Sequence, residues 1–144
     1  MKRDVQLQQL IDFYETINPQ SVRVRLGQIY ARDAHFKDPF NDVRGIEPIA
    51  AIFTHMFAQV DAPRFVIKTR VLEGSQAFIT WDFLFAIKRM PNVPQCVRGA
   101  THIGFDADGA VELHRDYWDV AEELYEKLPL LGPLMRWLKR RANR

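Results

Sequence analysis

The chain contains one cysteine, Cys96, so no disulfide forms within it and a reducing compartment suits it. No apolar run is long enough to cross a bilayer. The first residues, Met1-Lys2-Arg3-Asp4, lead into Gln-rich polar sequence without an apolar signal core, so a cytoplasmic protein is the expectation. Phosphate-cradling glycine loops, zinc signatures, nucleophile elbows and nucleic-acid motifs are all missing. Acid is missing too beyond Glu126, where Arg136, Lys139, Arg140, Arg141 and Arg144 stand. Those five charges exceed the net charge of +2, leaving residues 1–135 at −3. The body is mildly acidic and the tail basic, so the overall positive sign is no sign of a nucleic-acid partner.

What is present is a globular composition. Of 144 residues, 47% are apolar and 26% charged, enough for one domain with a real core. Leu7, Leu10, Ile11, Tyr14 and Ile17 share one helical face and predict a helix over about 5–17, with the Tyr14 hydroxyl turned inward. Asn18-Pro19-Gln20-Ser21 ends it and caps a second helix carrying Val22, Leu26 and Ile29. A short strand follows and stops at Asp38-Pro39. Asn41 to Gly45 reads as a loop, with Gly45 free to take a positive φ. Ile49, Ile52, Phe53, Met56, Phe57 and Val60 predict a third helix with a wide apolar face. His55 lies off that face and reads as a rim residue.

From Arg64 the period becomes two. Four antiparallel strands are predicted near 64–72, 76–89, 96–105 and 110–118, with Met90–Pro94 as a longer connection and Asp106–Gly109 as a hairpin turn. The order predicts an α+β domain with three helices on one face of a curved sheet, a cone whose open end makes a small-molecule pocket. Apolar residues on both faces of the second strand suggest that a second copy of the chain covers the outer face. Beyond about residue 120 the pattern predicts a helical extension over 121–144, capped by Asp119, broken at Pro129–Pro133 and ending in a basic amphipathic helix. That helix fits a membrane surface less well than packing on the domain.

Parity then selects candidate chemistry. Phe36 and Asp38 share a strand face, so Asp38 ends its strand among Phe36 and Phe40; apolar neighbours disfavour the charged carboxylate and make a general base of it. The alternative is an Asx-type turn residue with its charge in water. On the last strand Glu112, His114, Asp116 and Trp118 share one face. They read as a pocket wall or as a solvated edge strand. His114-x-Asp116 would offer two metal ligands, but a third, His35 or His102, has the opposite parity, so no metal or other cofactor is expected. Parity leaves the facing of Asp82 and His102 open.

The run Ile29 to Pro39 followed by Gly45, the segment Gly99 to Gly109, and the ending Asp116-Tyr117-Trp118-Asp119 resemble the NTF2-like superfamily, in its ketosteroid isomerase and SnoaL-like branch. The resemblance spans about residues 5–120 and implies the cone fold, a homodimer through the outer sheet face, and a cofactor-free site for a small apolar molecule. It implies Asp38 as base, Tyr14 as donor to an oxyanion, and Tyr30 in the supporting network. Thr101 stands where the family has a protonated aspartic acid, and Phe53 where it has another tyrosine, so steroid isomerisation as such is not expected. Carried onto the cone, the alignment puts His114 and Asp116 in the pocket as a second acid–base pair. Tyr30, Phe36, Phe40, Phe53, Met56, Phe57, Trp81, Thr101 and Trp118 are its expected walls. Three functions fit: a cofactor-free isomerase, cyclase, dehydratase or hydrolase; a non-catalytic ligand binder; or a dimeric interaction module.

Overall fold

A computed structural model describes residues 2–123 together with 137, 138 and 140–142. The order is α1 (Lys2–Glu15), α2 (Pro19–Ile29), β1 (Tyr30–Lys37), β2 (Asp42–Arg44), α3 (Ile46–Gln59), β3 (Val60–Glu73), β4 (Gln76–Ile87), β5 (Met90–Phe105), β6 (Val111–Tyr117) and α4 (Val120–Glu123). The strands form one six-stranded sheet in the order β2-β1-β6-β5-β4-β3. The four predicted strands are antiparallel neighbours, whereas β1 joins β6 in parallel, so the sheet is mixed. Three helices packed on this curved sheet make the expected cone.

The local signals explain most of these elements. Asn18 Oδ1 accepts from the Ser21 amide at 2.9 Å and Ser21 Oγ accepts from the Asn18 amide at 3.1 Å, a capping box that starts α2. Gly45 precedes α3 at φ 99°, a backbone state that a side chain resists. Leu7, Leu10, Ile11 and Tyr14 are buried as their spacing predicts, and Phe13, off that stripe, is fully buried as well, lying edge-on to Phe53. On α3, Ile49 and Phe53 are buried, while Ile52 and Met56 are only half-buried. Part of this apolar face therefore has no core to enter, and it borders a cavity instead.

Four boundaries differ from expectation. The first helix starts at Lys2 and stops at Glu15, short of Ile17. Asp42–Arg44, expected as loop, pairs with β1. Val60, expected on the third helix, opens β3, which bends at Ala62 (φ 50°) where the register slips between Asp61 and Arg64. Met90–Pro94, expected as a connection, is the start of β5, and Lys88-Arg89 alone makes the turn. Pro91 and Pro94 are tolerated there because β6 pairs with β5 only from Ala100 onward, so the missing N–H groups fall on an edge.

Asp82 and His102 both lie on the outer face: Asp82 pairs with Lys68 at 3.8 Å, and the His102 ring stacks on Phe78 at 4.5 Å. Asp119 caps α4 by accepting from the Glu122 amide at 3.1 Å, and Arg98 holds Glu123 at 3.0 Å. The expected continuation of this helix to Lys127 and the break at Pro129–Pro133 fall on residues outside those described. Of the expected basic helix, Trp137, Leu138 and residues 140–142 are described, helical and exposed. Among the described residues no helix is long and apolar enough to cross a membrane.

Asn18→Ala removes one half of the capping box, and we expect it to lower unfolding free energy by about 1 kcal/mol without a change of fold, read from the urea midpoint. An unchanged midpoint would show that α2 is held by packing alone.

Candidate active site

Strand pairing builds the site. Phe36 and His114 are partners across the parallel β1–β6 pair, and their rings stack at 4.4 Å. Lys37 pairs with Arg115 on the face turned away from the cavity, so the next residues, Asp38 and Asp116, end up on the concave side at the same end of both strands. Asp116 pairs with Thr101 of β5, Thr101 with Ile79 of β4, and Trp81 of β4 with Gly99 of β5. Gly99 is needed here because a Cβ would lie 2.5 Å from the Trp81 ring. Without that Cβ the indole lies flat over β5 and reaches Thr101.

The result is one chain of hydrogen bonds through the floor of the cone. Trp81 Nε1 donates to Thr101 Oγ1 at 2.8 Å, and Thr101 Oγ1 donates to Asp116 Oδ1 at 2.6 Å. His114 Nε2 lies 2.8 Å from the same Oδ1. Tyr30 Oη lies 2.7 Å from His114 Nδ1, and Tyr14 Oη 2.6 Å from Tyr30 Oη. Tyr14 Oη is also 3.4 Å from His114 Nδ1, too long to compete with the Tyr30 bond. The chain has a direction. An indole N–H only donates, so Thr101 accepts from Trp81 and spends its own proton on Asp116. With Asp116 ionised and His114 neutral, the carboxylate only accepts, so the ring proton sits on Nε2 and Nδ1 accepts from Tyr30. Tyr30 then accepts from Tyr14.

Burial sets the electrostatics. His114 is 3% exposed, Asp116 18%. Burial pushes both tyrosine hydroxyls above their ordinary range. For Tyr14 the charge near Tyr30 and Asp116 adds to the effect. For Tyr30 the Tyr14 hydroxyl pulls the other way, and Asp116 adds a smaller push upward. Both phenols therefore keep their protons throughout the neutral range. Among the described residues every buried side-chain nitrogen and oxygen has a partner.

Above this floor is a cavity of about 310 Å³. Tyr14, Phe36, Asp38, Phe40, Phe53, Met56, Trp81, Thr101, His114, Asp116 and Trp118 line it. Two expected members do not. Tyr30 sits behind the wall and meets the cavity only through Tyr14 and His114, and Phe57 packs beside the core. Lining residues that the sequence reading missed are Asn41, Ile52, His55, Gln59, Val60, Phe65, Ile67, Ile79, Phe83, Phe85 and Val97. Ile79, Phe83 and Phe85 share the strand parity of Trp81 and were findable from it, and Ile52 lay on the stripe of α3; nothing marked Asn41 or Gln59. Phe65, Phe83 and Phe85 form a continuous stack at 4.5 and 4.8 Å. No lysine or arginine is among the described lining residues, so the only formal charges facing the cavity are the carboxylates and any protonated histidine.

Asp38 adopts the Asx-type turn of its second sequence reading, at the edge of the cavity. Its Oδ1 accepts from the Phe40 amide at 2.8 Å, the Asn41 amide at 2.7 Å and Asn41 Nδ2 at 3.0 Å, an Asx turn. Its Oδ2 meets only Asn41 Nδ2, at 3.1 Å, and the residue borders the cavity. The apolar enclosure expected around this carboxylate is not there. Phe40 is 58% exposed and stands edge-on to Trp118 at the cavity mouth. His35 and His102, the two conceivable third metal ligands, face outward onto Asp42 and Gln76. Among the described residues no three metal-ligating side chains gather.

The SnoaL-like domain family model matches residues 10–114. Comparison with curated proteins gives no match. Among solved structures, a hypothetical protein with a ketosteroid isomerase-like fold from Catenulispora acidiphila, in complex with trimethylamine, is 20% identical, with TM-score 0.70 over 83% of this chain and 88% of its own. TerC co-crystallized with polyporic acid is 9% identical, with TM-score 0.70 over 85% of this chain and 95% of its own. An LEH-like epoxide hydrolase from M. tuberculosis is 16% identical, with TM-score 0.68 over 96% of both chains. At these identities the likeness establishes the fold and nothing finer.

Two measurements follow from the network. Tyrosine ionises at an ordinary value of 10.0, and both buried phenols titrate above it. Below that pH both tyrosines are protonated in the folded and unfolded chains alike, and their contribution to folding stability is intact. As pH rises past it the unfolded chain sheds two protons that the folded chain keeps, so stability falls, by about 1.4 kcal/mol per pH unit for each tyrosine. Urea midpoints taken above and below that pH should show this slope, and Tyr30→Phe should halve it. Thr101→Val keeps the shape but leaves the Trp81 N–H without an acceptor, and should cost about 1–3 kcal/mol in thermal unfolding, while Thr101→Ser should cost much less.

Proposed function

This chain belongs to the SnoaL-like domain family, and from that premise we propose that it binds a small, largely apolar carbonyl compound in the cone and performs cofactor-free acid–base chemistry on it. The observation that carries the reading is the unbroken hydrogen-bond chain from Trp81 to Tyr14, buried beneath an otherwise apolar cavity. A structural network needs no open space at its end. This one stops at a cavity, beside a second carboxylate.

Asp38 acts through Oδ2, the oxygen that its turn leaves with a single partner. Tyr14 meets the substrate oxygen, and His114 with Asp116 forms the second acid–base pair. Thr101 contributes no second oxyanion donor, since its only proton goes to Asp116. Loss of one such donor costs ~10²–10³ in rate, so the reaction is one that a single donor and a positioned base can carry. Isomerisation, cyclisation, dehydration and ring opening of a small carbonyl compound or epoxide fit this set. The M. tuberculosis epoxide hydrolase and the TerC complex with polyporic acid support the cone as a place for oxygen-bearing apolar molecules. The absence of cationic lining among the described residues argues against an acidic substrate.

A second reading, a non-catalytic binder, has one specific observation in its favour: Asp38 Oδ1 is tied by three N–H groups, as a purely structural turn would have it.

One experiment separates the two. Wild type and Asp38→Asn are given a panel of neutral apolar ketones, enones and epoxides, with turnover followed by mass spectrometry and binding by calorimetry. The enzyme reading expects wild-type turnover that drops about 10²–10⁴-fold in Asp38→Asn while the fold is kept. Equal turnover in both proteins removes Asp38 as the base. Tight binding with no product in either leaves the binder.

A further inference from the structure

We propose that Tyr14, Tyr30, His114 and Asp116 form a reversible proton relay, through which a single proton converts Tyr14 from a group that receives a substrate hydroxyl into one that donates to a substrate carbonyl. The proposal rests on the reading that the cavity takes an oxygen-bearing apolar molecule, and it narrows that molecule to a keto/enol pair. Tyr30 and His114 are then positioning residues, which act on the substrate only through Tyr14.

With Asp116 ionised and His114 neutral, each proton in the chain points toward Asp116. Tyr14 donates its hydrogen bond to Tyr30, and toward the cavity it offers only oxygen lone pairs. A hydroxyl on the ligand suits it, and a carbonyl does not. Turning the Tyr14 proton outward would leave the Tyr14 and Tyr30 oxygens 2.6 Å apart with no hydrogen between them, since the Tyr30 proton is held by His114 Nδ1 at 2.7 Å. One added proton removes the obstacle. Whether it rests on His114 or is shared with Asp116, Nδ1 now bears hydrogen. Nδ1 donates to Tyr30, Tyr30 to Tyr14, and Tyr14 to the ligand. Neither phenol is ever deprotonated, in keeping with the burial that holds both hydroxyls in their neutral form.

The same geometry balances an enolisation. Asp38 Oδ2 takes the proton from the carbon beside the carbonyl. Tyr14 gives its proton to the carbonyl oxygen and is refilled from Tyr30, which is refilled from His114 Nδ1. Asp38 ends one proton richer, the His114–Asp116 pair one proton poorer, and the C–H electron pair becomes the C=C bond of the enol. The enol hydroxyl now donates to Tyr14, which the original polarity of the chain accepts. Run backwards, the steps protonate carbon and restore the ketone. The titratable and charged groups around the pair are Tyr14 from α1, Tyr30 from β1, Asp38 from the turn after β1 and His55 from α3, which line or back the cavity, and Lys37, Arg115 and Asp119, which share a second cleft with Asp116.

Two readouts test the relay without an assay. Nitrogen-15 NMR of the ligand-free protein near neutral pH should find the neutral His114 ring protonated at Nε2 with Nδ1 accepting. A neutral ring protonated at Nδ1 would overturn the relay. Calorimetry with 2-acetylnaphthalene and 2-naphthol, in buffers of different ionisation enthalpy, should then find about one proton taken up with the ketone and none with the naphthol. Tyr30→Phe cuts the chain. Uptake with the ketone should vanish, and the naphthol should lose affinity relative to the ketone. A Tyr30 that serves packing alone would weaken both probes equally and leave proton uptake as it was, and that result sinks the proposal. So does ketone binding by wild type with no uptake, or failure of both probes to bind. Binding with uptake but no turnover of any ketone would leave the relay standing and reject the enzyme reading.

Discussion

One oxygen, Asp116 Oδ1, orders the polar interior of this cone. It accepts from Thr101 at 2.6 Å and lies 2.8 Å from His114 Nε2, with most of the residue shielded from water. A half-hidden carboxylate without such donors would be costly. With them, it fixes the Thr101 rotor, the protonated nitrogen of His114, the direction of the Tyr30 hydroxyl and, at third hand, that of Tyr14. Cooperativity within such a chain makes its bonds stronger than isolated pairs. The Trp81 indole is held at the other end by Thr101, so the apolar wall and the polar floor share one anchor.

That anchor could form only because two distant pieces of backbone meet. Tyr30 and His114 are 84 residues apart, and the parallel β1–β6 pairing brings them within 2.7 Å. Strand parity in the sequence was enough to put His114, Asp116 and Trp118 on one face, and helical spacing was enough to turn Tyr14 inward. Neither contains strand order. The resemblance to the NTF2-like superfamily supplied Tyr30 as a network member, but not its partner: where that resemblance implies another tyrosine this chain has Phe53, and Tyr30 meets His114. A glycine in a strand interior signals close approach by something. At Gly99 the something is the Trp81 ring, which no local pattern names.

Asp38 was legible as two alternatives because the sequence Asp38-Pro39-Phe40-Asn41 satisfies both. An aspartate before a proline turns the chain through its own side chain, and the strand parity of Phe36 points it at the cone. One oxygen makes the turn, and the other keeps a single partner beside the cavity. The proline-bearing segment 90–94 was misread for a related reason: prolines argue against a central strand, and their strand lies at an edge that only the finished sheet defines. Side-chain placement was thus legible wherever one element decided it, and incompletely so wherever two had to meet.

The cavity itself follows from a mismatch in the same terms. The stripe on α3 and the inward face of β3 and β4 are both apolar enough to pack together, yet Ile52, Met56, Phe65, Phe83 and Phe85 stay only partly buried. Closing the gap would bury more apolar area, at roughly 25 cal/mol for each Å², and would stabilise the fold. What holds it open is the Tyr14–Asp116 chain on the floor, which keeps β6 and α1 at a hydrogen-bonding separation, and the Phe65–Phe83–Phe85 stack, whose rings pack on one another. Some stability is forgone for a largely apolar space that ends on a buried phenol. In such a space the direction of one hydroxyl proton decides what is recognised, because the apolar rings around the phenol offer a ligand oxygen no other partner.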